Sequence, residues 1–216
     1  MEVVVAGGHG KIAMRLLGLL AERGDRARGL IRNPDHAADL ERVGAEAVVF
    51  DLERDEDLAA QLAGTDAAVF AAGAGPGSGA ERKRTVDFGG AVKLIEACEA
   101  AEVPRYLMVS AIGVDRGGWP GQMRPYYEAK RDADEALRDS KLDHTIVRPG
   151  RLTNRPGTGR VELGTPLERG GEVARDDVAA VLLAALYEPR TAGLTFDLLG
   201  GEIPIQRAIA ALVDAR

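Results

Sequence analysis

A glycine-rich stretch near the start of the chain, Val3–Ala13, reads VVVAGGHGKIA and decides the fold. It joins a short β-branched run to a segment of helical periodicity through three glycines within four positions. That is more glycine than a plain tight turn requires, and it lets the backbone approach a phosphate closely. The first turn of a helix leaves N–H groups unpaired and carries partial positive charge, which favours a bound phosphate. The stretch predicts a dinucleotide site, with candidate contacts at Gly7, Gly8, His9, Gly10, Lys11 and Ile12.

Beyond this stretch, short apolar runs alternate with segments of helical periodicity. The predicted strands are Glu2–Ala6, Arg28–Ile31, Ala45–Phe50, Ala67–Ala71, Tyr106–Ser110 and His144–Arg148. The predicted helices are Lys11–Arg23, Asp35–Val43, Asp55–Leu62, Glu81–Glu102 and Pro125–Ser140. The strands are continuous apolar runs, which is typical of strands buried on both faces by helices. The pattern predicts an α/β fold with a doubly wound, Rossmann-type parallel sheet flanked by helices.

The regular alternation of strands and helices ends after Arg148. The segment 150–171 is rich in Gly, Pro, Thr and Arg without a helical stripe, and predicts loops and short strands on the rim of the sheet. A helix over Asp176–Tyr187, a strand over Thr195–Leu199 and a helix over Pro204–Val213 are expected to follow. Residues 149–216 are too few and too broken for a core of their own. We expect one domain over 1–216, with 149–216 as a small C-terminal cap on the substrate side.

Composition narrows the class of protein. With 216 residues, 45% hydrophobic and 29% charged, the chain is neither disordered nor membrane-spanning. Its net charge of −6 argues against a nucleic-acid partner. The longest apolar run at the N-terminus is too short for a signal peptide, so we expect a cytoplasmic protein that does not bind membranes. A single cysteine and three scattered histidines predict no metal site.

The end of the second predicted strand bears on the choice of cofactor. A dinucleotide fingerprint expects an acidic residue about 20 residues past the glycines, where it binds the ribose 2′-hydroxyl. Here Arg32 stands at that point, followed by Asn33 and Pro34. A guanidinium can bind the 2′-phosphate of NADP in bidentate fashion, so the sequence favours NADP over NAD. The alternative is that Arg32 only caps the turn before Pro34.

The third and fourth predicted strands end in further candidate contacts. Ligands of a doubly wound sheet lie over the carboxyl ends of the strands. Asp51 and Leu52 follow the third strand, and Ala72 and Gly73 follow the fourth, so these residues are expected to border the adenine and its ribose. Asp51 is equally well placed to be the N-cap of the next helix, and the two interpretations stand side by side.

A serine, a tyrosine and a lysine form the candidate catalytic group. Ser110 ends the fifth strand, and Tyr126 and Lys130 lie four residues apart on one face of the next helix. A nearby ammonium group favours the phenolate, so Lys130 is expected to lower the pKa of Tyr126 towards the range where it exchanges protons with a substrate. Tyr127 has no lysine four residues on, which favours Tyr126. The alternative is that both tyrosines only pack against the sheet edge.

These motifs together resemble the short-chain dehydrogenase/reductase superfamily, and more closely its compact, atypical branch with NmrA-like and epimerase/dehydratase-like members. The resemblance covers nearly the whole chain and rests on Gly7–Ala13, Arg32–Pro34, Ser110–Ala111, Tyr126–Lys130, Thr145–Gly150 and Arg175–Ala179. It implies that Pro149 and Gly150 lie near the nicotinamide, and that Lys130 also contacts the cofactor. The helix-four Asn of the family, which supports the lysine through water, is replaced here by Asp87.

The expected function is that of an NADP(H)-binding oxidoreductase acting on a small carbonyl or hydroxyl compound, with epimerase or dehydratase chemistry as a variant. In this hypothesis Tyr126 exchanges the proton, Lys130 tunes the tyrosine, Ser110 orients the substrate oxygen, and Asp87 supports Lys130. The protein would act as a monomer or homodimer. The alternative is a non-catalytic NADP(H)-binding redox sensor, which would not need the Tyr126/Lys130 pair.

Overall fold

A computed structural model describes residues 1–75, 77–119 and 121–215. The strands are β1 (Glu2–Ala6), β2 (Arg26–Ile31), β3 (Glu46–Val49), β4 (Ala67–Phe70), β5 (Arg105–Val109), β6 (Asp143–Pro149), β7 (Arg151–Thr153), β8 (Arg160–Gly164), β9 (Glu172–Ala174), β10 (Leu194–Gly200) and β11 (Ile203–Pro204). The α-helices are α1 (Lys11–Glu22), α2 (Ala37–Arg42), α3 (Leu58–Gln61), α4 (Ala80–Arg82), α5 (Gly90–Ala100), α6 (Arg124–Asp139), α7 (Arg175–Leu186) and α8 (Ile205–Asp214). Short 3₁₀ turns cover Pro34–His36 and Pro189–Thr191, and a π-helical stretch covers Lys83–Gly89.

One large sheet organises the molecule. Within the described residues nine strands pair in the order β11-β8-β10-β6-β5-β4-β1-β2-β3. From β3 to β10 every pairing is parallel, and only β8 pairs antiparallel, with β10 and β11. The predicted doubly wound α/β fold is confirmed. Because the strand order reverses direction between β1 and β4, a crevice opens at their carboxyl ends, where such folds bind ligands.

Helices cover both faces of this sheet. Val3 and Val5 of β1 point to one face, where they pack with the apolar stripe of α1 and with α7. Val4 points to the other face, into a second core formed with α5 and α6. Side chains of a strand alternate between faces, so both faces of the parallel strands must be apolar. This is the physical reason for the continuous apolar runs in the sequence.

The C-terminal segment is woven into the same sheet. Its strand β10 pairs in parallel with β6, with Phe196 opposite Val147, and helix α7 packs against α1. A separate two-stranded parallel sheet, β7 with β9, lies after β6. The expected loops and short strands over 150–171 are found at the rim of the sheet, where β8 pairs with β10 and β11. The last residue of the expected domain, Arg216, lies outside the described residues.

Two helices differ from their predicted form. The helix expected over Asp55–Leu62 begins only at Leu58, because Asp57 adopts a left-handed backbone with φ 55° and its carboxylate accepts from the N–H of Ala60 as the N-cap. The helix expected over Glu81–Glu102 runs from Ala80 to Ala100 but contains the π-helical stretch. Such stretches often accompany functional sites, and this one carries Asp87.

Candidate cofactor and active site

The glycine turn between β1 and α1 has the geometry of a phosphate cradle. Gly7 has φ +77°, and a Cβ at this position would lie 2.6 Å from the Cα of Ala72, so a side chain is excluded on two counts. The N–H of Gly10 donates to the carbonyl of Gly7 at 2.7 Å, which closes the turn. Gly10 is the N-cap of α1 and offers no side-chain cap, so the first-turn N–H groups are left for an anion. The residues fit a pyrophosphate.

Gly8 has a different role from its two neighbours. Its N–H donates to the carbonyl of Leu30 at 2.8 Å, and a Cβ there would lie 2.8 Å from the Cα of Gly29. This glycine therefore lets the turn pack against β2. It is not among the residues that line the neighbouring cavity.

A cavity of about 280 Å³ opens at the carboxyl ends of β1, β2, β3 and β4. It brings together eight of the predicted contacts: Gly7, His9, Gly10, Arg32, Asp51, Leu52, Ala72 and Gly73. It also contains three polar residues that the sequence did not single out: His36, Glu53 and Arg82. The remaining predicted contacts, Gly8, Lys11, Ile12, Lys130, Pro149 and Gly150, do not line it. The cavity thus matches the adenosine half of a dinucleotide.

Several polar side chains that line this cavity make hydrogen bonds or ring contacts with their neighbours. The rings of His9 and His36 stack with centroids 3.7 Å apart, and Nε2 of His9 lies 2.7 Å from the carboxylate of Asp39. Asp51 accepts from the N–H of Glu53 at 2.9 Å and so caps a turn while it lines the cavity. The alternative that Asp51 is the N-cap of the next helix is wrong, because that position belongs to Asp57 in α3.

The adenosine end of the cavity carries a charged cluster. Glu53 accepts from Nη2 of Arg82 at 3.1 Å and lies 3.9 Å from Nη1 of Arg32. The turn before Pro34 is capped by the side chain of Asn33 and not by Arg32, whose side chain is 58% exposed to solvent. Glu53 was missed because it lies in the loop after β3, where no periodic pattern fixes the direction of a side chain. Arg82 was missed because it lies in the short helix α4, well after the end of β4, and its charge alone does not show which side chain it meets.

Lys130 and Asp87 meet beneath the active site. Nζ of Lys130 lies 3.6 Å from Oδ1 of Asp87 and donates to the carbonyl of Val109 at 2.9 Å. Both side chains are buried, at 5% and 2% exposure, and Oδ2 of Asp87 accepts from the N–H of Ala74 at 3.0 Å. The resemblance implied support through a water, whereas the structure places the carboxylate and the ammonium at ion-pair distance.

Tyr126 lies one helical turn before Lys130 on α6, and the charges around it differ from those expected. Burial raises the pKa of Tyr126, and the negative charge of Asp87 raises it further. The expectation that Lys130 lowers the pKa of Tyr126 is therefore wrong for this structure, because Asp87 already neutralises the ammonium. Nζ of Lys83, a residue the sequence did not single out, lies 5.3 Å from the Tyr126 ring centroid. The phenol is held in its neutral form.

The neighbouring Tyr127 belongs to a packing cluster. Its ring stacks on Trp119 with centroids 5.6 Å apart, and Nε1 of Trp119 donates to the carbonyl of Gly113 at 2.9 Å. Arg131 lies over the other ring of the stack, 5.5 Å from the centroid of Trp119. Tyr127 thus anchors the loop before α6, which leaves Tyr126 as the candidate for chemistry.

Ser110 lies at the end of β5 with its hydroxyl buried. The Ser110 hydroxyl lies next to the Asp134 carboxylate on α6 and lowers the pKa of that carboxyl as a hydrogen-bond donor. Beneath it, Asp134 of α6 accepts from Nε of Arg148 at 2.9 Å, and Arg148 also donates to Asp115. Burial raises the pKa of the Asp134 carboxyl, and Arg148 opposes that shift.

Pro149 and Gly150 end the neighbouring strand β6. The carbonyl of Pro149 accepts from the N–H of Ile112 at 3.1 Å, which ties the residue to the loop after Ser110. A Cβ on Gly150 would lie 2.4 Å from Leu199, so packing requires this glycine. Both residues are buried beside the end of β5. Their contact with a nicotinamide stays a prediction.

Fold and site together define a nucleotide-binding protein of the Rossmann type. Residues 7–189 match the family model described as NAD(P)H-binding, so the chain belongs to this NAD(P)H-binding family. The family covers the glycine turn, the charged cluster and the Ser110/Tyr126/Lys130 group. The predicted class of protein is confirmed.

Relatives in curated and structural collections agree with this family. The chain is 42% identical over 215 residues to a Bacillus subtilis (strain 168) protein named as an uncharacterized sugar epimerase, YhfK, covering 98% of this chain and 100% of that one. A Bacillus halodurans structure provisionally named as an NAD-dependent epimerase/dehydratase matches with a TM-score of 0.93 and 39% identity over 98% of this chain and 99% of that one. The oxidoreductase ylbE from Lactococcus lactis matches with a TM-score of 0.88 and 28% identity over 99% and 97%.

The family is thus oxidoreductase- and epimerase-like and NAD(P)-dependent. This agrees with the expectation of an enzyme. None of the described helices is both long and apolar enough to cross a membrane.

Proposed function

We propose that this protein is an NADP(H)-dependent oxidoreductase that acts on a small carbonyl or hydroxyl compound. The observation that supports the proposal most strongly is the buried pair of Lys130 and Asp87, 3.6 Å apart, one helical turn from Tyr126 on α6. Ser110 ends β5 next to this helix, and its hydroxyl hydrogen-bonds the Asp134 carboxylate. A sensor that only binds the cofactor would not need a buried lysine–carboxylate pair behind a tyrosine at this edge of the sheet.

The side chains have distinct roles in this proposal. A bound nicotinamide supplies the hydride. Ser110 donates a hydrogen bond to the substrate oxygen, and Tyr126 gives that oxygen its proton as a neutral phenol. Its raised pKa keeps the phenol protonated at neutral pH. Lys130 is held by Asp87 and by the carbonyl of Val109, and this buried pair fixes the position of α6 behind Tyr126.

The preference for NADP is part of the proposal. Two guanidinium groups, those of Arg32 and Arg82, line the adenosine end of the cavity, and guanidinium binds phosphate better than it binds a hydroxyl. Residues 149–216 are proposed to complete the substrate side of the single domain, and the protein is proposed to work as a monomer or homodimer.

The test is a turnover assay that monitors NADPH oxidation with small aldehydes and ketones, and product analysis with nucleotide sugars, whose epimerisation leaves the redox state of the cofactor unchanged. The nucleotide sugars are included because of the epimerase name of the Bacillus subtilis relative. The change Tyr126→Phe is expected to lower kcat at least a hundredfold, because it removes the proton donor. Cofactor affinity, measured by NADPH fluorescence, is expected to stay within about threefold, since the cavity does not include Tyr126.

The matched control is Tyr127→Phe, which removes the neighbouring hydroxyl from the same helix and is expected to keep most of the activity. Full activity in Tyr126→Phe would refute the assigned mechanism. NADPH binding without turnover on any member of the panel would favour the sensor.

A further inference from the structure

The adenosine end of the cavity contains two cations that share one anion. Oε2 of Glu53 accepts from Nη2 of Arg82 at 3.1 Å and lies 3.9 Å from Nη1 of Arg32. Oε1 of Glu53 accepts from the hydroxyl of Thr85 at 2.6 Å. The side chains of Arg32, Arg82 and Glu53 are 58%, 39% and 25% exposed, so all three are reachable from the cavity. Two positive groups and one negative group leave one unit of positive charge.

The shared carboxylate does not satisfy both guanidinium groups. Arg82 takes one oxygen at hydrogen-bond distance, whereas Arg32 stays 0.8 Å further away, as the difference between 3.9 and 3.1 Å shows. A guanidinium prefers a bidentate partner with two oxygens in its plane. A phosphate monoester carries a charge of about −1.5 to −2 and three acceptor oxygens. It can offer an oxygen to each guanidinium group, whereas Glu53 hydrogen-bonds only Arg82 and uses its other oxygen for Thr85.

The charged cluster is formed by residues from different elements of the fold. Arg32 follows β2, whereas Arg82 ends α4 and reaches the cavity from the far side of the glycine-rich loop after β4. Glu53 follows β3 and lies between them, steadied by Thr85 of the π-helical stretch. Three separate elements thus converge on one point of the cavity, next to the predicted position of the ribose.

We propose that Arg82 is a second guanidinium of the 2′-phosphate subsite, and that Glu53 is its resident counter-ion, displaced when a 2′-phosphate binds. This inference rests on the proposed use of NADP. Glu53 opposes the 2′-phosphate by charge and can accept a hydrogen bond from a free 2′-hydroxyl, so it narrows the preference of the site for NADP over NAD. Glu53 and Arg82 are therefore specificity-determining residues with opposite effects.

The experiment measures dissociation constants by calorimetry for NADP, NAD, 2′-AMP and 5′-AMP. Arg82→Gln is expected to weaken NADP and 2′-AMP about tenfold and to change NAD and 5′-AMP less than twofold. Glu53→Gln is expected to tighten NADP and 2′-AMP about three- to tenfold without tightening NAD. Arg82→Lys keeps the charge but not the planar fork, so it is expected to fall between wild type and Arg82→Gln.

Arg54→Gln is the matched control, because Arg54 is adjacent to Glu53 in sequence but is 86% exposed and does not line the cavity. It removes the same charge and is expected to leave all four constants within twofold. Melting curves of each variant without nucleotide report on folding. Equal constants for Arg82→Gln and Arg54→Gln, or an unchanged NADP to NAD ratio in Glu53→Gln, would overturn the inference.

The same measurements distinguish an error in the role of Arg82 from an error in the proposed preference for NADP. If wild-type protein binds NAD as tightly as NADP, and 5′-AMP as tightly as 2′-AMP, the preference for NADP itself is wrong. If wild type prefers NADP and Arg32→Gln removes that preference while Arg82→Gln does not, only the role of Arg82 is wrong.

Discussion

Tyr126 is a half-buried phenol whose pKa lies above the ordinary value, and Asp87 is the charged group that raises this pKa most. Burial alone raises the pKa of Tyr126, but Asp87 adds a negative charge that further disfavours the phenolate. The same carboxylate neutralises Lys130 at 3.6 Å. Asp87 thus acts on Tyr126 directly, and it also offsets the positive charge of Lys130, which lies one helical turn from the phenol.

This linkage predicts the effect of Asp87→Asn on the pH dependence of carbonyl reduction. A proton donor must be protonated, so the rate falls as pH rises through the pKa of Tyr126. In wild type that fall is expected above the ordinary tyrosine pKa of about 10. Asp87→Asn removes the negative charge and frees Lys130, so both changes lower the pKa of Tyr126. The basic limb of the kcat profile is expected to move to lower pH.

Ultraviolet difference titration of tyrosinate in the two proteins checks the assignment, with Tyr126→Phe as the reference for the other tyrosines. The control Asp132→Asn, on the exposed side of α6, is expected to leave the profile in place. An unmoved basic limb in Asp87→Asn would show that Asp87 has no influence on the proton donor.

At the scale of elements, helix α6 is held to the sheet by one buried ion pair. Asp134, which is fully buried, accepts from Nε of Arg148 at 2.9 Å and lies 2.8 Å from its Nη2. Arg148 is anchored on β6 and also donates to Asp115, which is 58% exposed. Removing one member of a buried pair leaves the other charge without its partner, and this costs more than the intact pair contributes.

Asp134→Ala is therefore expected to lower the free energy of unfolding by about 3 kcal/mol, since Asp115 still meets part of Arg148. The double change Asp134→Leu with Arg148→Met is expected to recover at least half of that loss, because no uncompensated charge is left. Urea unfolding curves measure both. The control Asp132→Ala breaks only surface pairs and is expected to cost about 0.5 kcal/mol or less. A loss in Asp134→Ala as small as in this control would contradict the anchoring role.

The sequence predicted those strands, helices and site residues that one local pattern was enough to identify. The apolar run of β1, the glycines at positions 7 and 10, and the i, i+4 spacing of Tyr126 and Lys130 are local patterns, and the structure places them as the patterns indicate. The contact of Glu53 with Arg82 depends on how the loop after β3 packs against α4 and the π-helical stretch. Local sequence preferences do not determine this packing, so the contact is seen only in the folded chain.

At the scale of the whole molecule, the cofactor cavity and the C-terminal segment share one sheet. The cavity joins the ends of β1 to β4, and β10 continues the same hydrogen-bonded array through β5 and β6. Apolar side chains from the N-terminal and C-terminal parts, such as Leu16 and Leu182, belong to one core. A ligand that stabilises one end of this sheet is thus expected to stabilise the whole molecule.

Thermal unfolding is therefore expected to be a single transition. Trp119, the only tryptophan, reports by fluorescence on the loop before α6, and far-ultraviolet circular dichroism reports on all helices. The two curves are expected to coincide without ligand and to shift together with it. NADP at about 100 times its dissociation constant adds about 2.7 kcal/mol, which corresponds to a rise in Tm of about 5–10 °C. NAD at the same concentration is expected to shift Tm less, because it lacks the 2′-phosphate for which Arg32 and Arg82 are proposed as partners. Two separate transitions, of which NADP shifts only the first, would mean that residues 149–216 unfold independently of the cofactor site.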